Sequence, residues 1–590
     1  MKKSICLLLV LLLLTAVFSA CGGEEPAAVG PLYAERGEQK RESLGALSPA
    51  ADANSLLTAL AAAGQSASAR WQPDYLDVPK AGPRLNVEKS AVGDSAVTDG
   101  TCIYMIDGYG LITVSAAGSS SAMRDYTKIP RTGEHWGDRL YLWKDRLAAV
   151  WTSLEFDGEG APRGTVETRI VLFSLAEPAA PKQLSEFSVD GGLVEACLLE
   201  GTLCVVTQNN LPELPAADKA ETLLPQLHEN GKTFTLQAGE IYLSQEPTRS
   251  ALTVVAAIRL EDGHFADALA FTDGTDAVRA DGQDLYLART RWSEEASAPR
   301  TEASYRVVDY RSVAETEIKR LHLDGYLKLT DGCVLYGALS EPGAMDVRTG
   351  QLRIATQVDE RSFSVFTDEA HGWTNCEEKG RVTDSQLAVL DAQLGVVGAL
   401  AKLGGEEGVS SCAFLRSNAW VTAGETLTAA DLSDPAEPKI CGSFAAAGET
   451  LLLRELGGGC VLSFSVPAAG SKVRLTVYDL TDPADPKQLD AKELDAVPAG
   501  DLTARGVLFT DAASGLIGWP AAGKDRAEYR LLRWNGSKLE DKGAAVPEYV
   551  PENGRSLLLN GTLYLCSPAQ VCVIDPENGK VLATVSNAVG

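Results

Sequence analysis

The chain contains a nine-residue phrase that occurs more than once. It reads Asp-Leu-Ser-Asp-Pro-Ala-Glu-Pro-Lys at residues 431–439 and Asp-Leu-Thr-Asp-Pro-Ala-Asp-Pro-Lys at residues 479–487. A more divergent copy, Ser-Leu-Ala-Glu-Pro-Ala-Ala-Pro-Lys, occupies residues 174–182. Internal self-similarity is typical of repeat architectures, in which one supersecondary unit is stacked many times. The phrase therefore constrains the fold before any single strand is assigned.

The residue types of the phrase predict a turn between the third and outermost strands of a repeat unit. Asp caps backbone amides in turns, and Pro presets φ while it cannot extend a strand ladder. Calcium binding is the alternative, but a calcium site needs several converging acidic oxygens around a Gly turn. The turn interpretation is favoured. It concerns Asp431, Asp434, Pro435, Pro438, Asp479, Asp482, Pro483 and Pro486.

A second pattern recurs from about residue 90 onwards: a turn containing Gly or Asn, followed by an alternating aliphatic and aromatic run. Alternation with period two after a tight turn predicts a β-strand, and Asn560-Gly561 is a strong hairpin signal. We interpret these runs as the inner strands of successive units. They lie at residues 100–105, 137–142, 201–205, 282–287, 332–336, 418–421, 459–462, 506–509 and 561–565.

This rhythm of strand, hairpin, strand, turn and strand predicts an all-β protein, a β-propeller built from four-stranded blades. We expect about eight blades, with seven as the alternative, over residues 91–590. An array of β-sandwich domains is the structural rival. It would need linkers at domain boundaries, which the sequence does not show.

The N-terminus predicts export. Lysines precede an apolar stretch at residues 5–18, then Ser19 and Ala20 supply small side chains, and Cys21 follows. The apolar stretch is too short to span a membrane and fits a secretory signal at residues 1–20. A cysteine directly after a small pair resembles a bacterial lipobox, which implies lipidation of Cys21 and a location on the outer side of the cell membrane. Ordinary cleavage with full secretion is the alternative.

Residues 21–90 predict a tether with a short helix. The first part is rich in Gly, Pro, Glu and Ala without periodicity, as in flexible linkers. From Ser48 to Gly64 a Ser-Pro start, an Ala- and Leu-rich middle and a terminal Gly punctuate a helix. Leu56, Leu57 and Leu60 give it one apolar face.

Charge and cysteine spacing exclude several classes of protein. The formal charge of −27 argues against nucleic acid as a partner, since such binding depends on Lys and Arg. No Cys-x-x-Cys pair is present, which disfavours zinc ribbons and thioredoxin-like chemistry. Most cysteines lie in apolar runs, where cysteine serves as a small buried hydrophobe. Two pairs are close enough along the chain to form disulfides: Cys197 with Cys204, and Cys566 with Cys572.

At this level the chain resembles a family of secreted bacterial proteins with a C-terminal β-propeller domain distantly related to WD repeats. The resemblance is most specific at residues 387–400, 431–442, 477–483 and 515–520. It implies the propeller fold and no general activity. At residues 450–454 the chain departs from a histidine-containing stretch that is typical of relatives.

The sequence favours a binding function over an enzymatic one. The five histidines are far apart, and neither metal nor cofactor motifs stand in a convincing context. We therefore expect a lipid-anchored binding or scaffold module for an extracytoplasmic protein, peptide or glycan, with long loops at residues 209–240 and 289–316 carrying binding residues. A surface hydrolase or quinone-type oxidoreductase with its site at the propeller funnel is the alternative. A third hypothesis is that the protein is a purely structural scaffold of the cell envelope.

Overall fold

The computed structural model of the chain describes residues 47–63, 84–87 and most of 93–586. Cys21, Pro483 and Pro486 lie outside the described residues. Within 93–586 the description excludes residues 130, 132, 155–165, 245–247, 340, 404–408, 410, 424–425, 446–449, 467–471, 483–484, 486, 500–507, 524–525 and 552–553.

The predicted short helix is confirmed as α1 (Ala53–Ala62). It begins later than the Ser-Pro pair suggested, because Asp52 is its N-cap: the Asp52 carboxylate accepts a hydrogen bond from the Ser55 amide at 2.7 Å. Leu56 and Leu60 are fully buried. The first strand, β1 (Arg84–Val87), follows the helix.

Later strands form antiparallel four-stranded units, which we call meanders 1 to 9 in chain order. Meander 1 contains β2 (Ala96–Thr98), β3 (Cys102–Ile106), β4 (Gly110–Ser115) and β5 (Met123–Lys128). Meander 2 contains β6 (Glu134–Trp143), β7 (Arg146–Leu154), β8 (Glu167–Ser174) and β9 (Lys182–Asp190). Meander 3 contains β10 (Gly192–Leu199), β11 (Thr202–Asn210), β15 (Ala251–Arg259) and β16 (His264–Thr272), with β12 (Gln226–Glu229), β13 (Lys232–Thr235) and β14 (Ile241–Tyr242) inserted before β15.

The middle of the chain contains the longest strands. Meander 4 contains β17 (Ala277–Asp281), β18 (Asp284–Ala296), β20 (Tyr305–Leu323) and β21 (Leu327–Tyr336), with the short β19 (Arg300–Glu302) inserted before β20. Meander 5 has a split first strand, β22 (Ala338–Leu339) and β23 (Met345–Arg348), followed by β24 (Gln351–Asp368), β25 (Trp373–Leu390) and β26 (Val396–Leu400).

The last four meanders are compact. Meander 6 contains β27 (Ser411–Leu415), β28 (Asn418–Ala423), β29 (Thr426–Asp431) and β30 (Lys439–Ala445). Meander 7 contains β31 (Thr450–Gly457), β32 (Cys460–Val466), β33 (Val473–Asp479) and β34 (Lys487–Leu494). Meander 8 contains β35 (Phe509–Asp511), β36 (Leu516–Ala522), β37 (Ala527–Trp534) and β38 (Leu539–Ala545). Meander 9 contains β39 (Arg555–Leu559), β40 (Thr562–Cys566), β41 (Gln570–Asp575) and β42 (Lys580–Ser586).

The meanders close into a ring. Each packs on the next through a buried apolar cluster, and meander 9 packs on meander 1 in the same way. At this seam the Gly118 amide donates to the Tyr564 hydroxyl at 2.8 Å, and Arg555 lies 2.9 Å from Asp94. The predicted all-β propeller of four-stranded blades is therefore confirmed. Among the described residues the strands form eight hydrogen-bonded sheets, one of which contains both meander 4 and meander 5.

Every meander has a β-bulge where its third strand pairs with its fourth. The extra residue lies on the outer strand, which a bulge bends and twists more strongly. Several bulge residues are apolar and exposed, among them Leu184, Val397, Leu489 and Leu582. These exposed side chains belong to the repeat geometry of the outer rim and do not form a docking patch.

The interpretation of the repeated glycine-led runs as inner strands is wrong for most of them. Six runs are second strands (β3, β11, β18, β28, β32 and β40), and the run at 332–336 is part of a fourth strand. The second strand is paired on both edges and buried on both faces, so its composition is the most apolar of the unit. The Asn560-Gly561 hairpin is as predicted: both residues have positive φ and join β39 to β40 in a two-residue turn.

The two cysteine pairs differ in geometry. Cys197 and Cys204 are direct cross-strand partners, so their side chains lie on the same face of the sheet. Cys566 and Cys572 belong to different core clusters on opposite faces of meander 9, which excludes a disulfide between them. All of the described cysteines are thiols in this structure.

Candidate functional site

Three insertions project from one face of the ring. In a four-stranded meander the second and third strands are joined at the same end in every unit, and we call that end the upper face. In meander 3 the connection between the second and third strands is long and contains β12, β13 and β14, whereas in meanders 4 and 5 the second and third strands themselves extend far beyond the first and fourth. In these three neighbouring meanders the additional chain leaves the ring at its upper end.

The largest of these features is an arm formed by residues 289–314 and 358–386. Here β18, β20, β24 and β25 continue beyond the first and fourth strands of their meanders. Eight residue pairs join β20 to β24, from Arg306–Thr367 to Val313–Glu360. At ~3.3 Å per residue the arm is on the order of 25 Å long.

The loop predicted at residues 289–316 is therefore wrong, because the segment is β-strand over most of its length. The predicted loop at residues 209–240 is only partly irregular, since it contains the β12–β13 hairpin. The strand partners of both segments lie elsewhere in the chain, since β20 pairs with β24 and β12 pairs with β9, and local sequence does not reveal such pairings.

A buried charge cluster holds the base of the arm. Arg289 of β18 lies opposite Glu317 of β20, and Nη2 of Arg289 donates to Oε2 of Glu317 at 2.6 Å. Arg289 also pairs with Asp273, and Lys319 pairs with Glu317. All four side chains are buried. Three basic and three acidic groups balance once the next cross-strand pair, Arg291 with Glu315, is included.

The electrostatics of the cluster favour the charged state of its acid. Burial opposes ionisation of Glu317, but the charges of Lys319 and Arg289 outweigh it and hold the pKa of this carboxyl well below its usual value. Burial lowers the pKa of Lys319. The balanced cluster is thus a rigid support for the arm. Its groups are buried, so they are not placed to contact a ligand from solvent.

A second cluster lies on the arm itself. Asp359 accepts hydrogen bonds from both Arg361 and Arg381, and the Arg361 guanidinium lies 5.5 Å from the Trp292 ring centre. Further out, Tyr310 stacks on Phe363 with ring centres 5.3 Å apart. These cross-strand contacts stiffen the arm along its length.

The outer edge of the arm is an unpaired strand. Among the described residues, β25 pairs with β26 over residues 387–390, and the Ser385 carbonyl accepts from the Leu403 amide at 3.1 Å, so residues 373–384 use one edge for β24 and leave the other open. Residues 373–375 and 377–380 are exposed. At the tip, Trp373 is 42% exposed and packs against Tyr305 with ring centres 5.2 Å apart. A long open edge of this kind is a template for another strand.

Those predicted turn residues that the structure describes lie on the outer rim, away from the arm. The phrase at residues 431–439 joins β29 to β30, and that at 479–487 joins β33 to β34. The Asp434 carboxylate accepts from the Ala436 amide at 3.0 Å, and the Asp479 carboxylate accepts from the Thr481 amide at 2.9 Å. A Cβ on Gly398 of the neighbouring meander would lie 2.2 Å from the Pro435 carbonyl oxygen, so that close approach requires glycine.

The histidines of the described residues do not converge. His264 contacts Glu229, His322 contacts Asp284 and His371 contacts Asp368, each at 2.7–2.8 Å and in a different meander. No group of three or more His, Cys, Asp or Glu side chains suited to a metal ion occurs in the described part of the chain. No helix there is long and apolar enough to cross a membrane.

The centre of the ring contains chain from the tether region. β1 pairs in parallel with β31, the first strand of meander 7, over four residues from Arg84–Thr450 to Val87–Leu453. It also lies beside β27, the first strand of meander 6. Part of the funnel wall is therefore lined by the protein's own N-terminal segment, although the sequence placed residues 84–87 in the tether.

The fold defines a β-propeller with an elaborated upper face. The chain belongs to the beta propeller domain family, whose model matches residues 86–578.

Relatives found by sequence have no established function. An uncharacterized protein of Methanocaldococcus jannaschii is 20% identical over 500 residues, covering 71% of this chain and 72% of that protein. An uncharacterized protein of Archaeoglobus fulgidus is 25% identical, covering 41% of this chain and 34% of that protein.

Among solved structures, a functionally unknown protein from Desulfotomaculum acetoxidans is 9% identical with a TM-score of 0.29, covering 80% of this chain and 98% of that one. A chain in the crystal structure of a nidogen/laminin complex is 14% identical with a TM-score of 0.21, covering 46% of this chain and 90% of that one. These scores are too low to support any inference about function.

Proposed function

We propose that this protein is a binding module of the outer cell surface, anchored by lipid at Cys21, that holds a partner protein by adding one of its strands to the open edge of the arm. The observation that carries the proposal is the unpaired edge of β25 over residues 373–384. Main-chain hydrogen bonds along such an edge supply affinity, and side-chain contacts on the two faces supply specificity.

The arm is suited to this task because it is rigid before binding. The buried charge cluster fixes its base, and the Tyr310–Phe363 stack fixes its middle, so a partner strand does not have to order the template. The edge is a binding feature and not an aggregation hazard in isolation, since charged side chains such as Glu377, Glu378 and Lys379 discourage self-pairing.

Charge indicates the chemistry of the partner. Between Asp368 and Asp384 the chain carries five carboxylates against one lysine and one arginine, within a protein of net charge −27. A partner strand with Lys or Arg at alternate positions is attracted, while an acidic strand is repelled. The exposed Trp373 at the tip offers an aromatic contact to such a strand.

Photo-crosslinking in intact cells tests the arm. A photoreactive residue in place of Thr374, on the open edge, is expected to yield a discrete protein adduct. The same residue in place of Leu582, which is exposed on the outer rim of meander 9, is the matched control and is expected to yield none. Adducts of equal yield at both positions, or at neither, would contradict the proposal.

Anchoring is tested separately by Cys21→Ser in a bacterial host that processes lipoproteins. The wild-type protein is expected to sediment with membranes and to carry acyl chains on its mature N-terminus, because two or three chains at ~0.8 kcal/mol per buried methylene give firm attachment. Cys21→Ser is expected to abolish both signals. Cys6→Ser, within the predicted signal, is the control and should leave both unchanged. An unmodified wild-type N-terminus rules out the anchor.

A further inference from the structure

A cavity of about 340 Å³ lies on the outer half of meander 2, on the side that faces meander 1. Its wall follows one row of cross-strand neighbours over four adjacent strands. Trp151 of β7 is paired with Arg169 of β8, Arg169 with Ser188 of β9, and Ser188 with His228 of β12. Alternation places these side chains on one face of the six-stranded sheet.

The inserted β12–β13 hairpin builds the outer end of this cavity. It adds two strands to the rim of meander 2, whereas meander 1 has only four strands with which to cover that face. The sheet therefore extends beyond its neighbour and leaves an open shelf. Without the hairpin, the cavity would lack the wall formed by His228, Asn230 and Gly231.

The hairpin is fixed from its other side. The Glu229 carboxylate accepts a hydrogen bond from the Phe265 amide at 3.0 Å and lies 2.7 Å from Nδ1 of His264. Phe265 packs edge-on against Phe187 with ring centres 5.1 Å apart. At the hairpin turn, Asn230 accepts from the Glu186 amide at 3.1 Å. One face of the hairpin is thus used for attachment, while the opposite face presents His228 to the cavity.

The floor of the cavity is apolar and held in place. It consists of Ile129, Trp151 and Val171. The Arg131 guanidinium lies 4.3 Å from the centre of the Trp151 ring and 3.0 Å from Asp138, so the indole cannot swing away. A fixed apolar floor suits the C–H surface of a ring rather than a flexible chain.

The walls carry both donors and acceptors. Arg169 and Glu167 form an ion pair at 3.3 Å, and Glu186 adds a second carboxylate beside the uncharged Gln183 and Asn230. His228 uses Nδ1 for the Thr233 hydroxyl at 2.9 Å, which leaves Nε2 for a ligand. A strong anion would meet two glutamates, and a strong cation would meet Arg169. An uncharged ligand with several hydroxyl groups can engage both kinds of group at once.

We propose that this cavity binds a neutral sugar, as a mono- or disaccharide or as the end of a larger glycan. The ring packs on the floor of Ile129, Trp151 and Val171, and its hydroxyl groups bond to Arg169, His228 and Asn230. The volume lies at the small end of the range of ~300–1,000 Å³ for small-molecule sites, which fits one or two sugar rings. This site is distant in the fold from the arm, and its occupation does not depend on a protein partner.

Saturation-transfer NMR and calorimetry with the mature chain test the proposal. The probes are glucose, galactose, N-acetylglucosamine and their common disaccharides, with inorganic phosphate and lysine as charged comparators. At least one neutral sugar is expected to bind, and neither charged probe. His228→Ala and Arg169→Ala are each expected to weaken binding roughly tenfold, as the loss of one side-chain hydrogen bond to a ligand does.

Lys232→Ala is the matched control, because Lys232 lies on the same hairpin and is exposed. It is expected to leave sugar affinity within about twofold, since it does not line the cavity. Melting temperatures of all three variants separate lost contacts from lost structure. The proposal is overturned if no neutral sugar binds the wild type, if phosphate or lysine binds instead, or if Lys232→Ala is as damaging as His228→Ala at equal stability.

Discussion

Replacing Glu317 by glutamine is expected to lower the free energy of unfolding by about 3–5 kcal/mol, because breaking a buried ion pair leaves uncompensated charge in the interior. Glu317 is 1% exposed and is the shared acid of Arg289 and Lys319. Glutamine keeps the shape of the side chain, so the loss measures charge and not packing. Urea titration followed by far-UV circular dichroism gives the value where unfolding is reversible, and a shift of melting temperature gives its direction otherwise.

The matched control is Glu302→Gln on the same sheet. Glu302 pairs with Arg300 at 2.7 Å, but both side chains are at least 41% exposed. Exposed pairs contribute ~0–1 kcal/mol, so this change is expected to be small. The double variant Glu317→Gln/Lys319→Met restores the charge balance and is expected to recover much of the stability. Equal effects of Glu317→Gln and Glu302→Gln would show that the cluster does not support the arm.

The same cluster predicts a pH dependence. The pKa of Glu317 is lower in the folded protein than in the unfolded chain, where it is about 4.3. Its contribution is therefore complete above the unfolded pKa and is lost as pH falls below it, since the unfolded chain then binds the extra proton. Between about pH 5 and pH 3 the wild type is expected to lose stability more steeply than Glu317→Gln. Parallel pH profiles for the two proteins would contradict this assignment.

Ending the chain after Val550, which removes meander 9, is expected to abolish cooperative folding. At the ring seam, the side chains of meander 9 that cover Ile103, Met105, Ile112 and Val114 of meander 1 would be removed. Burial of each large apolar side chain contributes ~1.5–3 kcal/mol. The burial free energy lost at meanders 1 and 8 together therefore approaches the whole stability of a typical domain, ~5–15 kcal/mol. Differential scanning calorimetry should show no sharp transition, and size-exclusion chromatography should show expansion or aggregation.

The control for this deletion shortens the arm and keeps the ring intact. Replacing residues 297–309 by Asn-Gly joins the cross-strand partners Ala296 and Tyr310 through a two-residue turn and shortens the arm, while every core cluster between meanders keeps both halves. Surface connections tolerate such changes, and a two-residue turn suits a hairpin. A cooperative transition near that of the wild type is expected. If the protein lacking meander 9 also melts cooperatively, closure of the ring is not required for cooperative folding.

Local sequence was informative where a residue has one dominant physical use. Asn560-Gly561 predicted its hairpin because two positive φ values are cheap only for such residues. Leu56 and Leu60 predicted the buried face of α1 from helical spacing alone. By contrast, the sequence predicted a loop at residues 289–316, although Glu315 at its end and the following Glu317 and Lys319 are all buried strand residues. Their neutralising partners come from β18 and from the turn that contains Asp273, so no local pattern reveals them.

The repeated phrases determined by themselves that this protein is a series of similar β-units, because turn residues and period-two alternation act within one unit. Tertiary structure alone decided how those units are used. Pairing of β20 with β24 turned two hairpins into an arm, docking of β12 on β9 opened the cavity, and meander 9 closed on meander 1. Each of these events joins residues far apart in the chain, where the choice among apolar faces and open strand edges depends on shape and charge balance in three dimensions.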